Sequence, residues 1–395
     1  MARRTGTVKL SIQSSYDDRG TKQAEAALAR FQKKFELAED SQAMKLAASS
    51  VAWDRRAADI ERSTARIGKA WQSVGGAMTR TGDALTTGIT APLLATGGAA
   101  VKAAIDWETA FAGVEKTVDG TAEQMAALEQ GIRDMAMELP TSRENIAAVA
   151  EAAGQLGIEA DNVLDFTRVM VDLGESTNLS ASDAATAMAR FANITQMSQD
   201  DFDKLGSAVV DLGNNFATTE SEIVDMGLRI AGAGEQIGMS EADIMGLAAA
   251  LSSVGIEAEA GGSAISKTMI EIARQVATNG DDLETWAETA GMSAEQFAAA
   301  WESDPAEALN SVVMGLADME AQGGSTLEQL EKLGITEVRQ RDALLRLAGA
   351  GDILTKAVGL SNEAWDENIA LTNEAEKRYA TTASQLAIAK NRVTD

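Results

Sequence analysis

The feature that most constrains the fold of this chain is a set of helix-start signals at nearly even spacing. Hydroxyl residues that suit the N-cap position of a helix occur at Ser142, Ser180 and Thr219. An N-cap hydroxyl accepts hydrogen bonds from the free amide groups of the first helical turn. We therefore predict that a helix starts at each of these three positions.

The ends of a second set of helices are marked by an apolar residue followed by glycine. These pairs are Leu173-Gly174, Leu212-Gly213 and Val254-Gly255, and their spacing is nearly the same as that of the helix starts. Two helices per unit and a period of about 40 residues are typical of helical-hairpin repeats. A compact helical domain without repeats, whose helices have similar lengths, is the alternative.

Three Met-Ser pairs predict further helix starts. They lie at residues 197–198, 239–240 and 292–293, and each is followed by Asp or Gln at the third helical position. The Ser and the third residue cap each other's amide groups, while the Met packs against an apolar residue one turn later. The sequence has only 3 prolines against 34 glycines, which suits helices joined by Gly turns. The predicted fold class is therefore all-α, with a multi-helix domain of hairpin repeats of about 40 residues.

Residues 1–80 predict two elements. Residues 7–12 alternate apolar and polar side chains, which indicates a possible short strand in an N-terminal arm of residues 1–20. Residues 21–80 are basic, and apolar residues recur there at steps of three and four. This spacing favours a coiled-coil-like helix that pairs with a partner helix, although an amphipathic helix packed on its own domain gives the same pattern. The predicted self-association seam consists of Trp53, Ile60, Ile67, Trp71, Val74 and Met78.

Residues 81–111 are rich in Gly and Ala and predict an apolar connector. Within them residues 84–101 carry no charge and reach the length of a membrane span. Small residues dominate this run and Pro92 interrupts it, so a buried helix or a flexible connector is the favoured interpretation. A membrane-active protein that inserts residues 84–101 is the alternative.

The rest of the chain divides into three segments by its pattern. A core helical domain is predicted for residues 112–275, and additional short helices are predicted for residues 276–360. From residue 361 to 395 the pattern is that of one long helix with no terminating Gly or Pro. We expect this helix to be the start of a longer one that continues past the given sequence.

The absence of two residue types limits the chemistry. The sequence contains no cysteine and no histidine, which excludes disulfides, thiolate–zinc sites and every mechanism that uses imidazole. We predict no catalytic residue, no cofactor and no metal, and we predict that the chain is not an enzyme. A peptidoglycan-cleaving glycosidase that uses a lone Glu is an alternative that composition does not exclude.

Charge is distributed unevenly along the chain. Residues 1–80 hold 15 Lys and Arg against 9 Asp and Glu, a net charge of +6, and the remaining residues hold 19 against 51, a net charge of −32. Because a strongly acidic body repels phosphate, we predict no direct binding of nucleic acid.

Short motifs follow one another in a fixed order from residue 80 to residue 275. They comprise a glycine, a Pro-Leu turn, an acidic–aromatic–acidic triplet and, further on, a proline and a glycine: Gly88, Pro92, Leu93, Asp106, Trp107, Glu108, Pro140 and Gly157. In this order and spacing the motifs resemble the core region of phage tail tape measure proteins. We refer to these eight residues as the family signature.

The resemblance implies a structural protein of the phage tail. Such a protein lies inside the tail tube during assembly, sets the length of the tail and leaves during genome ejection. The implied partners are tube, baseplate or tail assembly chaperone proteins and further copies of the chain, with transient membrane contact at ejection. The implied location is the virion tail, after synthesis in the cytoplasm of the bacterial host.

Overall fold

A computed structural model of the protein describes the backbone of residues 91–394 and the side chains of residues 102–393. This part of the chain contains seventeen α-helices, one short 3-10 helix and no strand, so the predicted all-α class is confirmed. The predicted strand at residues 7–12 and the predicted seam lie outside the described residues. The helices are α1 Ala91–Thr117, α2 Ala122–Glu138, α3 Arg143–Gln155, α4 Val163–Ser176, α5 Ala181–Thr195, α6 Phe202–Asn215, α7 Glu220–Ile237, α8 Glu241–Ser253, α9 Ala258–Thr278, α10 Leu283–Thr289, α11 Ala294–Ser303, α12 Pro305–Ala321, α13 Thr326–Lys332, α14 Val338–Gly349, α15 Ile353–Glu367, α16 Ala370–Tyr379 and α17 Thr382–Thr394.

Residues 122–278 form a stack of helical hairpins with a regular period. Helices α3, α5, α7 and α9, which we call the A-layer, begin at evenly spaced positions along the chain. Helices α2, α4, α6 and α8, which we call the B-layer, end with the same even spacing. Four residues connect each B-layer helix to the next A-layer helix. The observed spacing is therefore more regular than the spacing of the sequence signals. The repeat also includes one more helix at each end, α2 and α9, than the sequence predicted.

Packing follows the order of the repeats within each layer. Each A-layer helix packs against the next one, and the B-layer helices pack in the same consecutive way. A hairpin stack of this kind buries a continuous core because every repeat covers the apolar face of its neighbour. Phe166 of α4 and Phe202 of α6 meet edge to face in this core, with ring centroids 4.7 Å apart.

Five of the six predicted helix starts are confirmed. Ser142, Ser180 and Thr219 are the N-caps of the first three A-layer helices, and each accepts a hydrogen bond from the third residue of its helix. Ser240 and Ser293 cap α8 and α11 with a reciprocal capping box. The prediction at residues 197–198 is early by one turn, because the Ser there caps the 3-10 helix Gln199–Asp201 and α6 begins only after it.

Hydroxyl groups in the linkers tie the start of an A-layer helix to the end of the B-layer helix that follows it. Thr141, in the linker before α3, donates to Glu175 Oε1 near the end of α4 at 2.8 Å. Thr218, in the linker before α7, makes the equivalent 2.8 Å hydrogen bond to Ser252 Oγ near the end of α8. Both bonds join residues 34 positions apart, so the same contact recurs in two repeats.

Helices α10–α14 form a small bundle at the α9 end of the stack. Helix α12 packs against α10, α11, α13 and α14, and α14 also packs against α9. Asp304 caps α12 and Pro305 occupies its first turn, where a missing amide proton is not needed. We call residues 283–349 the cap, because they cover the last helix of the stack.

Helices α15, α16 and α17 return along the B-layer in the reverse order of the repeats. Helix α15 packs against α8 and α6, α16 packs against α6 and α4, and α17 packs against α2. We call residues 353–394 the strap. Helix α8 is thereby enclosed, and nine of its thirteen residues are buried.

The prediction of one long helix from residue 361 is wrong. Helix α15 starts earlier, at Ile353, and ends at Glu367; the next residue, Asn368, adopts a left-handed conformation with φ of 51°. A second break follows at residues 380–381, between α16 and α17. The physical reason is packing: α15 lies on α8 and α6, whereas α16 lies on α6 and α4, so the strap breaks where it passes from one pair of helices to the next.

Candidate functional site: the signature helix and the strap

The signature residue Trp107 anchors helix α1 on the body. Its side chain is 5% exposed and stacks on Phe111, with ring centroids 5.6 Å apart. Val114 and Val118 continue the same buried stripe at steps of three and four residues. One face of α1 is therefore held by apolar contacts from Trp107 onward.

Two arginines lie over the indole ring of Trp107. The guanidinium carbon of Arg133, on α2, is 4.9 Å from the ring centroid, and that of Arg143, on α3, is 5.3 Å away. The indole Nε1 donates to Glu129 Oε1 at 3.3 Å, and Arg133 pairs with the same carboxylate at 3.2 Å. Cation–π contacts and this shared carboxylate fix the position of the indole between α2 and α3. Arg143 adds a 3.0 Å hydrogen bond to the carbonyl oxygen of Ala103.

The structure does not bring the other signature residues together with Trp107 in one site. Asp106 is exposed and pairs with Lys102 on the same helix, and Glu108 is also exposed. Pro140 lies in the linker between α2 and α3, and Gly157, with φ of 87°, lies just after α3. Pro92 and Leu93 belong to the first turn of α1, and Gly88 lies outside the described residues.

The first part of the strap is anchored to α8 and α6 by short polar side chains. Ser361 is fully buried and donates to the carbonyl oxygen of Ala242 at 2.6 Å. Asn368 donates to Asp203 Oδ2 at 2.6 Å and accepts from Ser207 Oγ at 3.1 Å. Each of these anchors bonds a different repeat.

The second part of the strap is anchored to α4 and to the linker after α2. Tyr379 donates its hydroxyl proton to Asp172 Oδ1, and Asn391 donates to the carbonyl oxygen of Thr141 at 2.9 Å. Arg392 donates to the carbonyl oxygen of Met137 at 2.8 Å. As the strap advances from residue 361 to residue 392, its partners therefore step back from residue 242 to residue 137.

Asp172 is the most buried carboxylate of the strap interface. Its residue is 9% exposed, and burial raises the pKa of its carboxyl group above the ordinary aspartate range. The hydrogen bond from Tyr379 and the ion pair with Arg168, at 3.2 Å, offset only part of the lost hydration. Burial and the neighbouring carboxylate also raise the pKa of Tyr379, so its hydroxyl keeps its proton and acts as the donor.

An open polar pocket lies beside the start of α16. It has a volume of about 440 Å³ and lies between α4, the start of α6 and the strap. Four aspartates and one arginine contribute to its lining: Asp165, Asp172, Asp200, Asp203 and Arg168. Among the residues whose side chains the structure describes, no group of carboxylates has the arrangement that holds a metal ion.

A family model described as "Phage-related minor tail protein" matches residues 129–334, just over half of the chain. The chain belongs to this family of phage tail proteins. The resemblance to tape measure proteins seen in the sequence is confirmed. The matched residues run from the middle of α2 to just after α13, so they contain all four A-layer helices, most of the cap, and neither Trp107 nor the strap.

A named relative points to the same part of the virion. The chain is 26% identical over 253 residues to the "Probable tape measure protein" of Halomonas phage phiHAP-1, a match that covers 59% of this chain. The match covers 29% of the relative, so the chain corresponds to less than a third of that longer protein. No solved structure matches the chain.

Membership of this family supports a structural role in the phage tail and a location in the virion tail. No helix in the described part of the chain is both long enough and apolar enough to cross a membrane. Sequence reasoning identified Trp107 through the family signature but missed every strap anchor. Ser, Asn, Tyr and Arg at irregular spacing give no periodic signal, and their partners are 119 to 255 residues away.

Proposed function

We propose that this chain is the folded core segment of a tape measure protein. In this proposal it occupies the interior of the tail tube, takes part in setting tail length during assembly and leaves when the genome is ejected. The observation that carries the proposal is the match to a tape measure protein, together with the match of the tail-protein family model to residues 129–334, which contain most of the regular hairpin stack. We further propose that it has no enzyme activity and that tube, baseplate or chaperone proteins bind it.

The folded hairpin stack adds little length per residue. Each repeat adds one helix to each layer, which lengthens the stack by about 10 Å, the usual distance between packed helices. The residues of one repeat, about 40 in number, would span about 60 Å as one continuous helix. We therefore propose that residues 21–80 contribute to the measured length in proportion to their number, whereas residues 122–278 act as a compact folded segment.

Two internal deletions in a phage that carries this chain test the proposal. Removal of residues 53–80, four heptads of the predicted coiled coil, is expected to shorten the tail by about 42 Å. Removal of residues 181–219 joins Ser180 to Glu220 and keeps an N-cap in place; we expect a shortening of about 10 Å. Electron microscopy of negatively stained tails measures both lengths.

The tail lengths of the two deletion variants distinguish the possible outcomes. Equal shortening per residue in both variants would mean that the stack is extended inside the tube. Tails of unchanged length in both variants would contradict the tape measure role itself. Ser263→Ala, on the exposed side of α9, is the control for assembly, because it leaves the length of the chain unchanged.

A further inference from the structure

The last two helices of the strap, α16 and α17, are held less firmly than the helices on which they lie. Of their described side chains only Leu371, Ala375 and Ile388 are buried apolar groups. Helices α4 and α6, with 14 residues each, bury six apolar side chains apiece. We call residues 370–394 the arm, and its attachment depends mainly on polar anchors.

The arm packs mainly against the repeats. Helix α16 packs against α4 and α6, and α17 packs against α2 and α16. The link between strap and cap is made earlier, where Asn310 donates to Thr355 Oγ1 at 2.8 Å. A second copy of the chain presents the same α2, α4 and α6 surfaces, so it offers the arm every one of these partners.

A hinge separates the arm from the firmly packed helix α15. Asn368 is in the left-handed region with φ of 51°, and the next residue, Ile369, is 51% exposed. Asn tolerates this conformation better than other non-glycine residues because its short side chain bonds locally. The chain is therefore able to change direction at this point without disturbing a buried side chain.

Docking of the arm has an unfavourable component that undocking relieves. Tyr379 covers the Asp172 carboxylate and removes it from water, while Arg168 is its nearest cation. Side chains do not fill the open pocket of about 440 Å³ beside this contact, so the atoms that line it lack packing partners on that side. When the arm leaves, Asp172 regains hydration, which offsets part of the lost contacts.

We propose that the arm exchanges between copies, so that α16 and α17 of one chain dock on α2, α4 and α6 of another. The B-layer surface is then a self-association site, distinct from the predicted seam at residues 53–78. Exchange of an element that makes the same contacts in both states is a low-cost route to dimers. A pair of chains joined in this way keeps every anchor of the closed form.

The absence of native cysteine makes exchange directly measurable in the full chain, because each engineered thiol is unique. One variant carries Thr141→Cys and a second carries Asn391→Cys; these residues touch in the closed arm, where Asn391 donates to the Thr141 carbonyl oxygen. The two variants are mixed at high concentration, incubated, and treated with a short bismaleimide. The double variant, Thr141→Cys with Asn391→Cys, shows the linked product within one chain.

Exchange predicts a crosslinked dimer in the mixture of Thr141→Cys with Asn391→Cys. The control mixture pairs Asn391→Cys with Ser263→Cys, an exposed position on α9, and it should give no dimer. A mixture that stays uncrosslinked while the double variant links within one chain would overturn the proposal. Equal dimer formation in both mixtures would overturn it as well, because that result reports proximity of whole chains and not transfer of the arm.

Discussion

In the hairpin stack, neighbouring helices meet through many buried Phe, Leu, Ile, Val and Met side chains. The arm, residues 370–394, lies on the same helices with only Leu371, Ala375 and Ile388 as buried apolar groups and with polar anchors such as Tyr379. The stack therefore gains most of its stability from apolar area removed from water. The arm depends more on hydrogen bonds, whose net contribution is small because water makes equivalent bonds when the arm is undocked. The comparison teaches that helices lying on the same B-layer are held to different degrees, α15 by apolar burial and the arm mainly by polar anchors.

The largest effect is expected from a core substitution in the stack. Phe166→Ala removes a fully buried ring that contacts Phe202, and we expect a loss of about 3–5 kcal/mol in the free energy of unfolding. Urea denaturation followed by circular dichroism measures the change. Leu386→Ala, at a position 72% exposed on α17, is the matched control and should change stability by less than about 0.5 kcal/mol. Similar losses in the two variants would remove the distinction between stack and strap.

An intermediate effect is expected where α8 and α15 approach closely. A Cβ atom at Gly246 would lie 2.6 Å from Val358 Cα, a backbone atom that moves only with its helix. Gly246→Ala should therefore displace α15 and destabilise the protein by about 1–3 kcal/mol. Faster hydrogen exchange of residues 353–367 would locate the change in the strap.

The control for this substitution is a glycine in a helix of the outer A-layer. Gly232 is exposed on α7, and a Cβ atom there would meet only Ile194, at an ordinary 3.8 Å. Gly232→Ala should stabilise the protein by about 0.4–1 kcal/mol, because the unfolded chain loses conformational freedom. We expect the two Gly→Ala substitutions to change the free energy of unfolding in opposite directions. A gain of stability in both variants would mean that α15 does not hold α8 from this side.

The smallest effect at neutral pH is expected from Asp172→Asn. An amide still accepts from Tyr379 through Oδ1 and avoids the burial of a charge, but it gives up the ion pair with Arg168. The two changes oppose each other, so stability at neutral pH should stay within about 1 kcal/mol of the wild-type value.

The effect of Asp172→Asn should depend on pH with a defined sign. Because burial raises the folded-state pKa of Asp172 above its unfolded value, the folded state binds the proton more tightly. The contribution of Asp172 is then fully present below its unfolded pKa and is lost as pH rises through its folded pKa. The other charged or titratable groups facing it are Arg168, Glu175 and Tyr379.

Wild-type protein should therefore gain stability relative to Asp172→Asn as pH falls from neutral into the carboxylate range. The difference between the two unfolding free energies, measured in urea at a series of pH values, isolates this group from the general acid response. Asp165→Asn, at an exposed position on the same helix, is the control for the loss of one carboxylate. A gain for Asp172→Asn on acidification would mean that Arg168 and Tyr379 outweigh burial.

The sequence by itself determined the hairpin stack. Local signals are sufficient to predict its helices. An N-cap hydroxyl accepts from an amide three residues away, and the apolar stripe of a helix is visible within that helix alone. Ser142, Ser180 and Thr219 each cap a helix as predicted, and the even spacing of the A-layer helices follows from such signals. Trp107 was identified through the order of motifs around it, and its buried contacts with Arg133 and Arg143 became visible only in the fold.

Tertiary structure alone decided the course of the strap. The pattern after residue 361 is that of a continuous helix. Asn368 is a residue type that can end a helix in the left-handed conformation, but a single Asn does not by itself determine the break. Its cause is the surface on which it lies: Ser207 and Asp203 bind Asn368, and Asp172 binds Tyr379, from repeats far earlier in the chain. Contacts between such distant residues carry no periodicity, so only the packed structure shows that the strap returns along the stack.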